Sequence, residues 1–214
     1  PSGFELSFGF NSTYPPLNLD LDGSRNVNII GKIDRVDTCI DGEREFVRVI
    51  DYKSSGKEID LTSLYGGLQL QLFMYMNAVL NADKTGRMEP AAVLYSSFSN
   101  KDLDMSGLAD GLGLSEEDLD KRLLKENKFS GLIVNDQDII SHMDNDLEAG
   151  RSSDILKLEL KKDGTIYESR TTSMSPGEFD TVRTFVMNKS REICQEIYDG
   201  KIDISPFRKG VLTA

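Results

Sequence analysis

The stretch Gly31–Lys53, GKIDRVDTCIDGEREFVRVIDYK, decides the fold. β-Branched and charged residues mix from Ile29 to Asp37 and again from Phe46 to Lys53. Between the two runs sits Asp41-Gly42, a strong short-range hairpin signal. Side chains alternate across a strand, so Asp51 and Lys53 project from one face behind Val47 and Val49, and Tyr52 projects from the other.

An acid and a base at the end of an apolar row are, taken alone, the ordinary ion pair of a sheet rim. Two neighbours change that weight. Asp34 lies on the preceding strand in Gly31-x-x-Asp34, where a hairpin brings it toward Asp51. Gln71 and Tyr75 follow, four residues apart on one helical face.

Two carboxylates and a lysine suit phosphodiester hydrolysis. Hard oxygen ligands bind Mg²⁺, which keeps several waters and takes only one or two carboxylates beside substrate phosphates. Such a metal polarises phosphate and acidifies water. Lys53 could orient that water or offset charge on the transition state. Gln71 could hold a phosphate or the lysine; Tyr75 could stack on a nucleotide or simply pack.

Gly31-x-x-Asp34, Asp51-Tyr52-Lys53 and Gln71-x-x-x-Tyr75 together resemble the RecB-like branch of the PD-(D/E)xK nuclease superfamily. More narrowly, GKIDRVD, VIDYKSSGKEIDL and YGGLQLQLFMYMNAVL resemble the C-terminal nuclease domain of the AddB/RexB family, a component of bacterial ATP-dependent helicase-nucleases. AAVLYSSF, KFSGLIVNDQDIISHMD and IYDGKIDISPFRKG extend the likeness over nearly the whole chain.

The resemblance implies Mg²⁺, with Mn²⁺ as a substitute, held by Asp34, Asp51 and the Tyr52 carbonyl, with Lys53 catalytic and Gln71 and Tyr75 as the helical motif. It implies DNA as substrate, single-stranded and delivered by a helicase partner of AddA type during double-strand-break repair. Two departures stand out. RecB-type nucleases usually add an upstream histidine, whereas His142, the one histidine here, lies far downstream and reads as a loop or helix-surface residue. The family also holds an iron-sulfur cluster on four cysteines. Here only Cys39 and Cys194 occur, at neither expected place, so the chain reads as a piece of a longer one.

Composition bears on these expectations. At 214 residues the chain can bury a substantial core as one domain, with a core of about 1–100 and 152–200 and an insertion of about 101–151. A net charge of −11 argues against free-standing, non-specific nucleic-acid binding, which wants a basic footprint. A metal in the site would neutralise its carboxylates, and a larger assembly could supply a basic channel. Two widely spaced cysteines suggest a reducing compartment and no disulfide framework. With no membrane-length apolar run and no signal peptide, the expected setting is cytoplasmic.

Elsewhere the pattern supplies supporting elements. Phe4–Phe10 alternates as an opening strand, on which Glu5 is either a further site acid or a solvated strand residue. Leu17–Leu21 and Val27–Ile29 flank Asp22-Gly23 as a second hairpin. The spacing predicts one helix over Leu61–Leu80, with Leu64, Leu68, Gln71, Leu72, Tyr75 and Val79 toward the sheet, then a buried strand over Ala91–Phe98. Within the insertion, 115–125 and 136–147 read as short helices, and the acids Asp136, Asp138, Asp144 and Asp146 lack calcium-loop spacing. A third hairpin is expected across Asp163-Gly164. Ser175-Pro176-Gly177-Glu178 announces a closing helix with Phe179, Val182, Val186, Ile193 and Ile197 as its stripe and Gly200 as its stop.

The expected architecture is thus an α/β, restriction-endonuclease-like core: a mixed central sheet flanked by helices, with an inserted, partly irregular subdomain. Its rivals are a Cas4-like exonuclease, which the downstream segments disfavour, and a catalytically silent scaffold or DNA-guiding module.

Overall fold

The predicted hairpin forms, and a mixed sheet grows from both its edges. The computed structural model describes residues 1–97 and 127–203. In chain order its strands and helices are β1 (Gly3–Phe8), β2 (Leu17–Asp20), β3 (Asn26–Ile29), β4 (Gly31–Asp41), β5 (Arg44–Lys53), α1 (Leu61–Tyr65), α2 (Gln71–Asn81), β6 (Met88–Ser97), β7 (Ser130–Val134), α3 (Gln137–Ser141), β8 (Ser173–Met174) and α4 (Pro176–Tyr198). The six-stranded sheet runs β1-β4-β5-β6-β7-β8, while β2 and β3 pair separately as the second hairpin.

Register follows from the turn. Asp41 faces Arg44 across Gly42-Glu43, and Gly42 takes the positive φ of +59° that a two-residue hairpin loop requires. β5 then pairs β6 in parallel through the α1–α2 crossover, so the central strands are covered on both faces. Val47, Val49, Ile50 and Ala92 to Tyr95 are accordingly buried. α2 lays Leu72, Phe73, Met76 and Val79 on one face, and α4 packs behind it with the Phe73 and Phe179 ring centroids 5.5 Å apart. Each such side chain contributes about 1.5–3 kcal/mol of burial. No helix among the described residues is long and apolar enough to cross a membrane.

The helix predicted over Leu61–Leu80 is two helices. Asp60 caps α1 by accepting from the Thr62 and Ser63 amides, and the chain then leaves helical geometry at Gly67 (φ +83°) and Gln69 (φ +58°). Gln69 ties that break to the preceding loop, accepting from the Asp60 amide at 2.9 Å. Leu68 therefore leaves the apolar stripe and is 48% exposed, while Gln71 becomes the first residue of α2.

Other expectations shift as well. The segment across Asp163-Gly164 makes a tight turn but only isolated bridges, Leu160 to Ile166 among them, because the Glu159 amide turns to Thr171 Oγ1. The helix expected over 136–147 is the single turn of α3, capped by Asp136. β7, inside the span read as an insertion, is a full member of the sheet beside β6. The closing helix has its capping box and Pro176 as expected, but Ile197 faces solvent at 70% exposure. The helix read over 115–125 and the strand end at Phe98 lie outside the described residues.

Candidate active site

Continuing the β4–β5 register past Arg35 and Ile50 sets Asp34 opposite Asp51, and opposed residues share a face. Asp34 Oδ2 accepts from the Tyr52 amide at 2.9 Å, so its carboxylate is fixed to the partner strand's backbone. Lys53, two residues beyond Asp51, folds back until its Nζ is 2.5 Å from Asp51 Oδ2. That contact is an ion pair only: Oδ2 is buried and receives no hydrogen bond of acceptable direction.

The break before α2 delivers the remaining residues. Gln71 Oε1 accepts from Lys53 Nζ at 3.3 Å, and Gln71 Nε2 donates to the Tyr75 hydroxyl at 2.5 Å. Tyr75 is held from behind by Phe8, whose ring meets it edge-on with centroids 5.8 Å apart. An unbroken helix over 61–80 would set Gln71 in mid-helix, whereas at the helix start its side chain meets Lys53 at the strand end. Asp34, Asp51, Lys53, Gln71 and Tyr75 are thus brought together, with the Tyr52 backbone between the acids.

Electrostatics separates the roles of these groups. Burial pushes the Asp51 carboxyl above the ordinary carboxylate range; Lys53 pulls it back in part, while Asp34 adds repulsion. Burial also raises the Tyr75 hydroxyl, with the charges of Asp51 and Asp34 adding to the effect. Tyr95, in register with Asp51 on β6, is pushed up to about 12 by burial and then by the Asp51 charge. Both hydroxyls keep their protons at neutral pH.

The remaining candidates lie elsewhere. Glu5 adopts a positive φ of 56°, sits exposed on β1 and pairs with Lys32. His142 closes α3 beside Phe46 and Asp41, at the hairpin's tip and the far end of β5 from Asp51. Cys39 on β4 and Cys194 on α4 are free thiols on separate elements. With two cysteines in the chain, its residues do not fit a four-thiolate iron-sulfur cluster.

A hard divalent cation does fit. Two carboxylates share one face, and the buried Asp51 Oδ2 lacks a hydrogen-bond donor. Among the described residues no group of three or more His, Cys, Asp or Glu converges, which suits an ion that retains waters rather than an all-protein cage.

On the reverse face, Asp37 is buried between two arginines. Arg35 binds it bidentately at 2.7 and 2.9 Å, and Arg48 Nε donates at 2.8 Å. Arg35 also hydrogen-bonds the Tyr52 side chain, so this cluster braces the strand that carries the site. Sequence reading singled out neither this cluster nor Tyr95 and Lys57, whose ammonium lies 5.0 Å from the Tyr95 ring centroid. Asp37 follows Arg35 in the hairpin and was legible as an alternating charge pair; Tyr95 depends on a parallel register that a local pattern does not reveal.

This geometry is matched by likeness to known proteins, three of them B-type subunits of ATP-dependent helicase/deoxyribonucleases. The chain is 39% identical over 212 residues to the one from Clostridium botulinum strain Hall, covering 98% of this chain and 18% of that one. Its counterpart from Clostridioides difficile strain 630 is 36% identical, covering 97% of this chain and 18% of its own length. That of Bacillus mycoides is 38% identical over 217 residues, covering 98% and 18%. The chain therefore spans under a fifth of the length of these relatives. A protein-family model for the PD-(D/E)XK nuclease superfamily matches residues 1–209, which include the paired acids, the lysine and the sheet that carries them. By that match the chain belongs to the PD-(D/E)XK nuclease superfamily, whose chemistry is phosphodiester hydrolysis.

Proposed function

We propose that this chain is the nuclease domain of an AddB-type helicase/deoxyribonuclease component and hydrolyses DNA phosphodiesters with Mg²⁺, Mn²⁺ being able to substitute. Asp34 and Asp51, with the Tyr52 carbonyl, hold the cation. Lys53, Gln71 and Tyr75 complete the machinery. The substrate is a single strand handed over by an AddA-type helicase partner during double-strand-break repair. The observation that carries the reading is the buried Asp51 Oδ2, facing Lys53 at 2.5 Å without a hydrogen bond. A carboxylate left in that state costs stability and is retained where a ligand or a reaction uses it.

The division of labour follows from the contacts. The Tyr52 amide keeps one Asp34 oxygen occupied, leaving the other for a ligand. A bound divalent cation supplies Lewis-acid polarisation of a phosphate oxygen. Lys53, steered by Gln71, places three donors beside the scissile phosphate, where negative charge builds during attack by water. Tyr75 stays neutral and holds the Gln71 amide. The helicase partner supplies what a chain of net charge −11 lacks, a long-range attraction for DNA.

The alternative is a silent scaffold or DNA-guiding module, which the acidic balance favours and the intact acid-acid-lysine set opposes. Cleavage of end-labelled single-stranded DNA with Mg²⁺, compared for the unsubstituted protein, Lys53→Ala and Asp51→Ala, separates the two. The nuclease reading expects cutting by the first alone. Equal activity in all three, or no cleavage with any divalent ion in the reassembled complex, overturns it.

A further inference from the structure

Tyr95 is the floor of a second feature beside the acids. Parallel pairing sets it directly against Asp51, so its ring lies on the face the carboxylate uses. Its hydroxyl is buried and has no hydrogen-bond partner. Two ammonium groups lie over the ring: Lys53 Nζ at 6.0 Å from the centroid and Lys57 Nζ at 5.0 Å. An aromatic face attracts a cation and holds it without neutralising it.

Lys57 differs from the other lysines near it. Lys32 pairs with Glu5, Lys157 takes Glu58 at 2.6 Å, and Lys53 takes Asp51. Among the described residues, the Lys57 ammonium meets no carboxylate within ion-pair distance. Its main chain is nevertheless anchored: Ser130 Oγ on β7 donates to the Lys57 carbonyl at 2.9 Å, tying the loop after β5 to the sheet. A fixed backbone, an aromatic shelf and an unspent charge make a preorganised anion contact.

Its position identifies the anion. Across the sheet the order is Asp34 on β4, Asp51 and Lys53 on β5, then Tyr95 on β6 with Lys57 above it. Adjacent strands are about 4.8 Å apart, a shift on the scale of one nucleotide step. Resting on the nuclease reading above, we propose that Lys57 is a second phosphate-binding cation, holding the phosphate next to the scissile one on a nucleic-acid strand laid across β4, β5 and β6. The acids repel an approaching polyanion until a cation is bound, and Lys53 is already paired. Lys57 therefore supplies the standing attraction, and its charge also reaches Asp51, favouring the ionised carboxylate.

The test measures binding apart from cutting. The full-length protein carrying Lys57→Met, Lys57→Arg or, as a surface control, Lys84→Met is titrated with fluorescent single-stranded oligothymidylate in EDTA across a range of salt. Lys57→Met should bind roughly tenfold more weakly, with a salt slope shallower by about 0.7, the signature of one lost single-strand phosphate contact. Lys57→Arg should keep both properties, as should Lys84→Met. With Mg²⁺ present, KM should rise more than kcat falls in Lys57→Met. Unchanged affinity and slope in Lys57→Met, or an equal loss in Lys84→Met, overturns the inference. Cleavage by the unsubstituted protein tests the parent reading separately: Lys57-dependent binding without any cleavage sinks the nuclease reading and leaves the phosphate contact standing.

Discussion

Lys53 Nζ stands 2.5 Å from Asp51 Oδ2, yet the carboxyl remains harder to ionise than an ordinary aspartate because burial outweighs the ion pair. An acid whose folded pKa lies above its unfolded one is penalised in its charged form. Its contribution is most favourable below the unfolded value, declines between the two and is fully adverse above the folded value. At neutral pH, Asp51 therefore costs stability, and Asp51→Asn should melt at the same temperature as the unsubstituted protein or higher. The same change should reduce Mg²⁺-dependent cleavage by roughly 10³-fold, as expected for loss of metal-assisted charge stabilisation. Thermal melts beside a cleavage assay check both halves. A lower melting temperature would show that the carboxylate supports the fold rather than burdening it.

The same burden should be lifted by a cation. A ligand present at a hundred times its dissociation constant stabilises the folded state by about 2.7 kcal/mol, roughly 8 °C for a domain of this size. Mg²⁺ or Mn²⁺ should therefore raise the melting temperature of the unsubstituted protein, and EDTA should reverse the rise. Asp34→Asn and Asp51→Asn should each abolish it. A shift that survives both substitutions would place the ion elsewhere.

Much of the site was legible because its spacing is local. Gly31-x-x-Asp34 and Asp51-x-Lys53 fall on strands joined by a two-residue turn, so alternation and the turn fix their common face. The capping box of α4 was equally local, and Ser175 and Glu178 form it as read. Sequence failed where backbone conformation broke a periodic pattern. Leu64, Leu68, Leu72 and Tyr75 keep helical spacing, but Gly67 and Gln69 take left-handed φ values and restart the helix at Gln71. That restart positions the Gln71 amide, and no hydrophobic periodicity encodes it. Tyr95 and Lys57 were missed because they join the site through a parallel register and a loop anchor from Ser130, both set by distant residues.

Gln71 bridges Lys53 and Tyr75, accepting from one at 3.3 Å and donating to the other at 2.5 Å. It touches Lys53 rather than the reacting phosphate, which makes it a positioning residue. Gln71→Ala removes a hydrogen bond to a charged group, worth about 1.5–3 kcal/mol, and should lower kcat roughly ten- to hundredfold with little change in KM. Gln71→Glu keeps an acceptor for Lys53 and should recover part of the loss. Tyr75→Phe retains the packing against Phe8 and should cost less than Gln71→Ala. Steady-state kinetics on the three variants decides the matter: equal kcat in Gln71→Ala and the unsubstituted protein would remove Gln71 from the machinery.

Asp37 has the opposite electrostatics on the reverse face of the same strands. Burial pushes its carboxyl up, but hydrogen bonds from Arg35 and Arg48 and the charges behind them more than reverse this, leaving it below the usual carboxylate range. A depressed folded pKa contributes stability that is present above the unfolded value and is lost as pH falls through the folded value. Asp37→Ala leaves two half-buried guanidiniums facing each other, a loss of about 3 kcal/mol or roughly 9 °C in melting temperature at neutral pH. On acidification the unsubstituted protein should converge toward the variant, because protonation removes the charge the arginines hold. Melts from neutral pH down into the acid range should show that gap closing. A constant gap would assign the loss to side-chain packing instead. Because Arg35 also binds the Tyr52 side chain, Asp37→Ala should impair cleavage below its melting temperature as well, through a loosened strand rather than a missing ligand.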